Sequence, residues 1–266
     1  MSKNVICVFS GTGNSLWAAK EISKELENCE IVSMGINGKC LLPEGYDAIG
    51  FVYPTYGRGI PKQVEKFILH LDLHGNKDAY FFAVATCGRL SRAGNSITQL
   101  RNVLKHKGIK LSYGERLDMF SNYVIMYDMR DTVEEETKQS AINIEPIVRN
   151  IKDRATDKGN TISEPFQKLL YIGFMHFASN IDKKFNVSDA CVKCNICKKV
   201  CLANNIDIGE DGKPYFLHHC EQCLACIQNC PAKAINYKDK TQNRKRYMHP
   251  DISWEELARL NGYENK

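Results

Sequence analysis

No run of apolar residues in this chain approaches the ~20 needed to cross a bilayer. The longest candidate, Leu169 to Ala178, is about half that length. No secretory signal is visible, because Val5-Ile-Cys-Val-Phe9 is short and leads into a glycine loop rather than a cleavage site. Charge of one sign is also scarce. Lys and Arg total 36 against 31 for Asp and Glu, a net +5, too mild an excess to mark a nucleic-acid protein. With 43% hydrophobic and 25% charged residues, wholesale disorder is excluded as well. The expectation is a protein of the reducing cytoplasm, its 266 residues forming one large or two modest domains.

Cysteine is what the chain has in excess. Of twelve cysteines, eight lie between 191 and 230, and only Cys7, Cys29, Cys40 and Cys87 lie elsewhere. In a reducing compartment such clustering points to metal or redox ligands rather than disulfides.

The first ~125 residues alternate strand and helix signals, the pattern of a parallel sheet covered on both faces. Strand-like stretches are Lys3–Phe9, Asp47–Tyr53, Asp78–Ala85, Ile109–Phe120 and Tyr123–Tyr127. Helical spacing runs through Ser15–Leu26, the segment after Pro61, and Asn95–His106. Thr132–Ile151 and the apolar Phe166–Ile181 read as further helices. Ser253-x-x-Glu256 is a possible capping box opening a short helix in the tail.

The cysteines form two runs, Cys191-x2-Cys194-x2-Cys197-x3-Cys201 and Cys220-x2-Cys223-x2-Cys226-x3-Cys230-Pro231, offset by 29 residues. Ile206 and Ile235 obey the same offset, so one small unit is repeated. Thiolates are soft donors suited to iron in sulfide clusters, and the x2 spacing lets a tight loop present three of them to one cubane. Zinc is the alternative, although its modules usually separate their pairs by a longer spacer. His218 and His219 adjoin Cys220 but read as loop residues, since eight thiolates complete two clusters.

Strand 3–9 is followed by Ser10-Gly11-Thr12-Gly13-Asn14-Ser15 and a helix, which aims backbone N–H groups and a helix dipole at one point. No Lys-Ser/Thr closes the loop, so it is not a Walker loop, and Leu16 takes the third glycine position of a dinucleotide fingerprint. Neutral donors around a terminal phosphate suit a mononucleotide such as FMN; the alternative is a plain capped turn. Two further loops fall beyond the carboxyl ends of strands, where open α/β sheets bind ligands. In Tyr53-Pro54-Thr55-Tyr56-Gly57, Tyr56 is a candidate to stack on a flavin ring and Gly57 to reach its N5. In Thr86-Cys87-Gly88-Arg89, the backbone amides are candidates for the pyrimidine edge and Arg89 for charge near N1. Sheet-end packing of the tyrosines and a solvated loop for Arg89 and Arg92 are the plainer alternatives. Cys87 reads as a small buried residue.

Phe9-Ser-Gly-Thr-Gly-Asn-Ser15 with Pro54-Thr-Tyr-Gly57 resembles flavodoxins, and residues 187–238 resemble bacterial two-cluster ferredoxins. Cys220-Glu-Gln-Cys-Leu-Ala-Cys226 and the tail Lys240-Thr-Gln-Asn-Arg-Lys-Arg-Tyr247 complete a resemblance to the flavodoxin–ferredoxin fusion ("ferrodoxin") family of anaerobic bacteria and archaea. The resemblance implies a flavodoxin-like, doubly wound α/β fold with a parallel five-stranded sheet of order 2-1-3-4-5. A small α+β two-cluster ferredoxin domain would follow. It also implies FMN, two [4Fe–4S] clusters and electron transfer. In two-cluster ferredoxins the fourth cysteine of each run serves the other cluster. The implied ligand sets are Cys191, Cys194, Cys197 and Cys230, and Cys220, Cys223, Cys226 and Cys201. The expected domains are a flavodoxin-like unit over 1–155, a helical connector over 156–186, the ferredoxin unit over 187–238 and a tail over 239–266. The expected role is passing low-potential electrons between clusters and FMN and on to a partner redox protein, a ferredoxin or a reductase. The alternative is an FMN-dependent reductase of a quinone or enone, with a pocket lined by Tyr56, Arg89 and Tyr123. No second nucleotide fingerprint is visible. Met119-Phe-Ser-Asn-Tyr123 also resembles a family segment near the flavin. The chain departs from the pattern at Leu202, where proline usually follows the fourth cysteine, and in being basic where most flavodoxins are acidic.

Overall fold

Strand β1 (Asn4–Val8) is buried at all five positions. Val5, Cys7 and the following Phe9 face one hydrophobic core while Ile6 and Val8 face another. This period of two with both faces apolar is what a central parallel strand requires. The computed structural model describes residues 2–38, 41–73, 75–159, 162–178 and 180–263. Around β1 lie β2 (Cys29–Ser33), β3 (Ala48–Pro54), β4 (Tyr80–Cys87) and β5 (Tyr113–Asp118). All are parallel, in the order β2-β1-β3-β4-β5 expected from the sequence. Gly50 in β3 leaves room for Phe82 on β4, whose ring would lie 2.2 Å from a Cβ there.

Helices α1 (Asn14–Lys24) and α4 (Val133–Lys152) cover one face through Leu16, Trp17, Ile22, Ile144, Ile147 and Ile151. Helices α2 (Lys62–His70) and α3 (Ser96–His106) cover the other through Val64, Phe67, Ile68, Leu100 and Leu104. Each starts within about a residue of its sequence signal.

Two strands differ from the sequence reading. β2 was not expected: Cys-Glu-Ile-Val-Ser is a half-exposed edge strand, and only its last residue is buried. Its apolar signal is correspondingly weak. Tyr123–Tyr127 is not a strand but a turn, closed by Met126 N–H donating to the Tyr123 carbonyl at 3.0 Å. Its apolar residues Val124 and Ile125 are buried in a core built around the cysteines.

Past the sheet come α5 (Pro165–Ala178), β6 (Phe185–Val187), α6 (Ile196–Lys199), β7 (Ile206–Ile208), β8 (Pro214–Phe216), α7 (Ala225–Gln228), β9 (Ile235–Tyr237) and α8 (Trp254–Leu260). β6 pairs with β9 and β7 with β8, both antiparallel. The expected capping box at Ser253 and Glu256 is present.

The 29-residue repeat is visible in the backbone. Lys193, Asn195 and Asn204 have φ of 57°, 61° and 48°, and their counterparts Gln222, Leu224 and Lys233 have 56°, 58° and 48°. Each repeat threads three left-handed residues through its cysteine run, an uncommon conformation for side chains with a Cβ.

The repeats are docked into the sheet's own cores. Ile196, Val200 and Ala225 pack with α1, and Leu202 packs in the core on the α2 side. The Leu202 carbonyl also accepts from Ile36 N–H at 2.8 Å. This explains leucine in place of proline: position 202 contributes an apolar anchor to the sheet domain. Among the described residues, no helix is long and apolar enough to cross a membrane.

Candidate functional site

The eight clustered cysteines separate into two groups around two cavities. Cys191, Cys194, Cys197 and Cys230 line one, partly open to solvent, with Ile196, Pro214 and Ile235 as apolar walls. Cys201, Cys220, Cys223 and Cys226 line the second, with Phe185, Ile206 and Phe216. Three cysteines of each group come from one run and the fourth from the other. Among the described residues, no three His, Cys, Asp or Glu side chains converge as they would on a single ion. Neither His218 nor His219 lines either cavity.

Backbone donors are aimed at the sulfurs. Asn205 N–H donates to Cys201 Sγ at 3.1 Å, and Ala234 N–H, its counterpart in the repeat, donates to Cys230 Sγ at 3.2 Å. Gln222 N–H donates to Cys220 Sγ at 3.3 Å. Such bonds favour a charged sulfur. Burial works the other way, pushing the Cys197 and Cys223 thiols up to about 12 and Cys220 and Cys226 well above their usual range. Ligation by a metal centre would resolve that opposition, because a coordinating thiol is deprotonated outright. The cavities differ in setting: Cys194 is exposed at the first, whereas Cys226 and the backbone of Leu224 are buried at the second.

The second run presses on the glycine loop. A Cβ on Gly11 would stand 2.6 Å from the Cys223 carbonyl oxygen, and one on Gly13 would stand 2.8 Å from His249 Cβ. The N-terminus of α1 has Gly13 at its cap, which carries no side chain to cap it, and no acid in its first turn. Its first N–H groups have no acceptor within the helix. The loop hydroxyls mostly accept and so keep a hydrogen to donate. Ser10 Oγ accepts from Leu16 N–H at 3.2 Å, and Thr12 Oγ1 from Asn122 Nδ2 at 2.8 Å. The Asn14 amide is fully engaged, donating to the Phe120 carbonyl and accepting from the Tyr247 hydroxyl. Free N–H groups and hydroxyl hydrogens around a buried helix N-terminus fit a phosphate.

The other two loops join the first. Ser15 Oγ and Thr86 Oγ1 are hydrogen bonded at 2.8 Å, and Thr55 N–H donates to the Thr86 carbonyl at 2.7 Å. Pro54 ends β3 beside Thr86, its partner in the β3–β4 register. Gly57, at φ 53°, lies under the Phe174 ring, and Gly88 lies against Ser121. Tyr56 meets the Phe9 ring edge-on at 6.3 Å, and Cys223, Glu221 and Cys220 lie close enough to add to the burial that raises its phenol. Thr55 Oγ1 and the Tyr123 hydroxyl are buried without a hydrogen-bond partner, polar groups fit to meet a heteroaromatic edge. Cys87 is buried, its thiol pushed up to about 12. Arg89 is exposed and lies near the Asp118 carboxyl.

Residues 5–120 match the family model described as Flavodoxin domain. The N-terminal part of the chain is a flavodoxin-like domain. Solved structures with a similar fold include an FMN-dependent NADH-azoreductase from Bacillus anthracis in complex with FMN. It is 9% identical with a TM-score of 0.39, over 59% of this chain and 100% of that one. An NADH:FMN oxidoreductase in its apo form is 14% identical at 0.41, over 63% and 94%. An NAD(P)H:quinone oxidoreductase from Methanothermobacter marburgensis is 13% identical at 0.37, over 57% and 96%. No curated protein gives a significant match.

In the flavodoxin-like domain the three candidate loops are adjacent, as their positions after β1, β3 and β4 dictate. Sequence reasoning missed the groups that cover them: Asn122, Phe174, Tyr247 and His249. Two segments had a signal: Met119–Tyr123, which supplies the Phe120 carbonyl and the Asn122 amide, and the tail motif ending at Tyr247. Phe174 sits on an apolar helix whose register against Gly57 no local pattern encodes.

Proposed function

We propose that this chain is an electron-transfer iron–sulfur flavoprotein, holding two [4Fe–4S] clusters and FMN and exchanging electrons with a partner redox protein. The observation that carries this reading is the division of eight cysteines between two cavities, three from one run and one from the other in each. That is the ligand division of two-cluster ferredoxins.

When bound, the clusters supply one-electron carriers and the flavin a carrier of one or two electrons. Cys191, Cys194, Cys197 and Cys230 would hold one cluster, and Cys201, Cys220, Cys223 and Cys226 the other. Amides of Asn205, Gln222 and Ala234 offset negative charge on sulfur, a lever on potential. The glycine loop, with Ser10 and Thr12, would hold the FMN phosphate, and Thr55, Gly57 and Tyr123 border the position for its ring. Contact between Gly11 and Cys223 supports direct communication between the two sites. The exposed segment at Val192, Lys193 and Cys194 is the face offered to a partner, since it brings the first cavity to the surface. A reductase acting on a small molecule is less well supported, because Phe174 covers Gly57 and Arg89 turns outward toward Asp118.

Anoxic purification followed by iron, sulfide and flavin analysis, with EPR and absorption during reductive titration, tests the reading. The expected result is two cluster equivalents and one FMN, with reducing equivalents reaching both. Zinc without iron, or reduced clusters that never bleach the flavin, would overturn it.

A further inference from the structure

Helix α5 carries an apolar stripe that the fold leaves uncovered. Phe166, Leu169, Leu170, Gly173 and Phe177 follow one another at helical spacing, and the four large side chains are 37% to 67% exposed. The opposite side of the helix is fastened down. The Tyr171 hydroxyl donates to the Ile60 carbonyl at 2.9 Å, Phe174 lies on Gly57, and Met175 is buried. The stripe is therefore displayed on a helix held down along its opposite side.

Cations surround it. Arg58 Nη1 donates to Gln167 Oε1 at 2.9 Å, and Lys62 Nζ to the Met175 carbonyl at 3.4 Å. Lys184 Nζ stands 5.1 Å from the Phe177 ring, with Lys183 exposed beside it, whereas Lys168 lies on the far side of the helix, about 200° round from Phe166. Glu164 precedes the helix. Glu65 and Glu221 lie by the inward-facing Tyr171, and Asp182 is buried.

We propose that the outer face of α5 docks this protein on an anionic bilayer surface, the apolar stripe entering the headgroup–acyl boundary and the lysines and arginine meeting lipid phosphates. With 14 residues the helix is too short to span, but it has the composition of an interfacial anchor: large aliphatic and aromatic side chains on one face with a basic flank. Anionic lipid attracts each such cation near its surface. A second copy of the chain fits less well, because a two-fold contact would set this basic rim against itself.

The test uses the full chain as isolated anoxically, floated with vesicles of phosphatidylcholine alone and of phosphatidylcholine with phosphatidylglycerol. The expected result is binding to the anionic vesicles, weakened by salt. The Phe166→Ser/Leu170→Ser/Phe177→Ser variant should partition about tenfold or more less. Lys183→Glu/Lys184→Glu should lose the preference for anionic lipid. All five positions are exposed, and unchanged iron content and circular dichroism would show that the variants fold. The proposal is overturned if wild type stays free of anionic vesicles, or if the triple serine variant binds as well as wild type. It is equally overturned if the wild type is a dimer in vesicle-free solution that the triple variant dissociates, which would make the stripe an interface between copies.

Discussion

Gly11 and Cys223 touch, across more than two hundred residues of sequence. A Cβ at position 11 would lie 2.6 Å from the Cys223 carbonyl oxygen and 3.0 Å from its Cβ. One residue belongs to the loop after β1 and the other to the second cysteine run, so the two candidate sites share a wall. Two neighbouring contacts fix that wall. His249 N–H donates to the Thr12 carbonyl at 2.9 Å, and the Tyr247 hydroxyl donates to Asn14 at 2.7 Å. The tail is thus a strap holding the cysteine unit on the flavodoxin-like domain.

Gly11→Ala should break this contact. The clash is with backbone, which cannot rotate away, so the expected loss is about 1–3 kcal/mol, seen as a lower Tm and weaker flavin retention. Gly173→Ala is the matched control. Position 173 is helical and a Cβ there meets nothing within 4 Å, so alanine should be neutral or stabilise by about 0.5–1 kcal/mol. Equal melting of Gly11→Ala and wild type would mean the two sites are not in contact.

On the proposed ligand division, Cys230→Ser should cost the cluster assigned to the first cavity although the residue belongs to the second run. Iron and sulfide analysis should fall from two cluster equivalents to one. The remaining EPR signal should match that of Cys191→Ser rather than that of Cys220→Ser. If Cys230→Ser instead resembles Cys220→Ser, the ligands divide by run and not crosswise.

The sheet was legible because β1, β3 and β4 are buried on both faces and written as nearly continuous apolar runs. β2 was not, since an edge strand needs few apolar residues. The cysteine repeat was equally legible, because its spacing is local and both copies carry the same left-handed residues. What joins the halves was not. Leu202, Phe174 and His249 act through contacts between residues far apart in sequence, and their neighbours carry no pattern that names a partner. Leu202 was noticed only as a missing proline.

That substitution is itself testable. Leu202 is 1% exposed and belongs to the core that holds Leu42 and Phe67 beside α2. Leu202→Ala should cost about 2–5 kcal/mol, the range for a buried leucine leaving a cavity. Chemical denaturation should show the change as a shifted midpoint. A variant as stable as wild type would mean that the cysteine unit is not anchored through this residue.

His249 gives the protein an acid limit. It is 1% exposed, stacks on Trp17 at 4.9 Å between ring centroids, and its Nε2 has no hydrogen-bond partner. Burial lowers its pKa from 6.5 to about 4, against a smaller opposing pull from Asp251 and Glu21. The folded state therefore refuses a proton that the unfolded chain accepts. Stability from the neutral ring is full above pH 6.5 and is lost as pH falls from there to about 4. At about 1.4 kcal/mol per pKa unit, the loss over that window is at most about 3 kcal/mol. His249→Phe keeps a ring against Trp17 and removes the titration. Melting curves across the window should show wild type losing several degrees more than the variant, and parallel curves would place the acid sensitivity elsewhere.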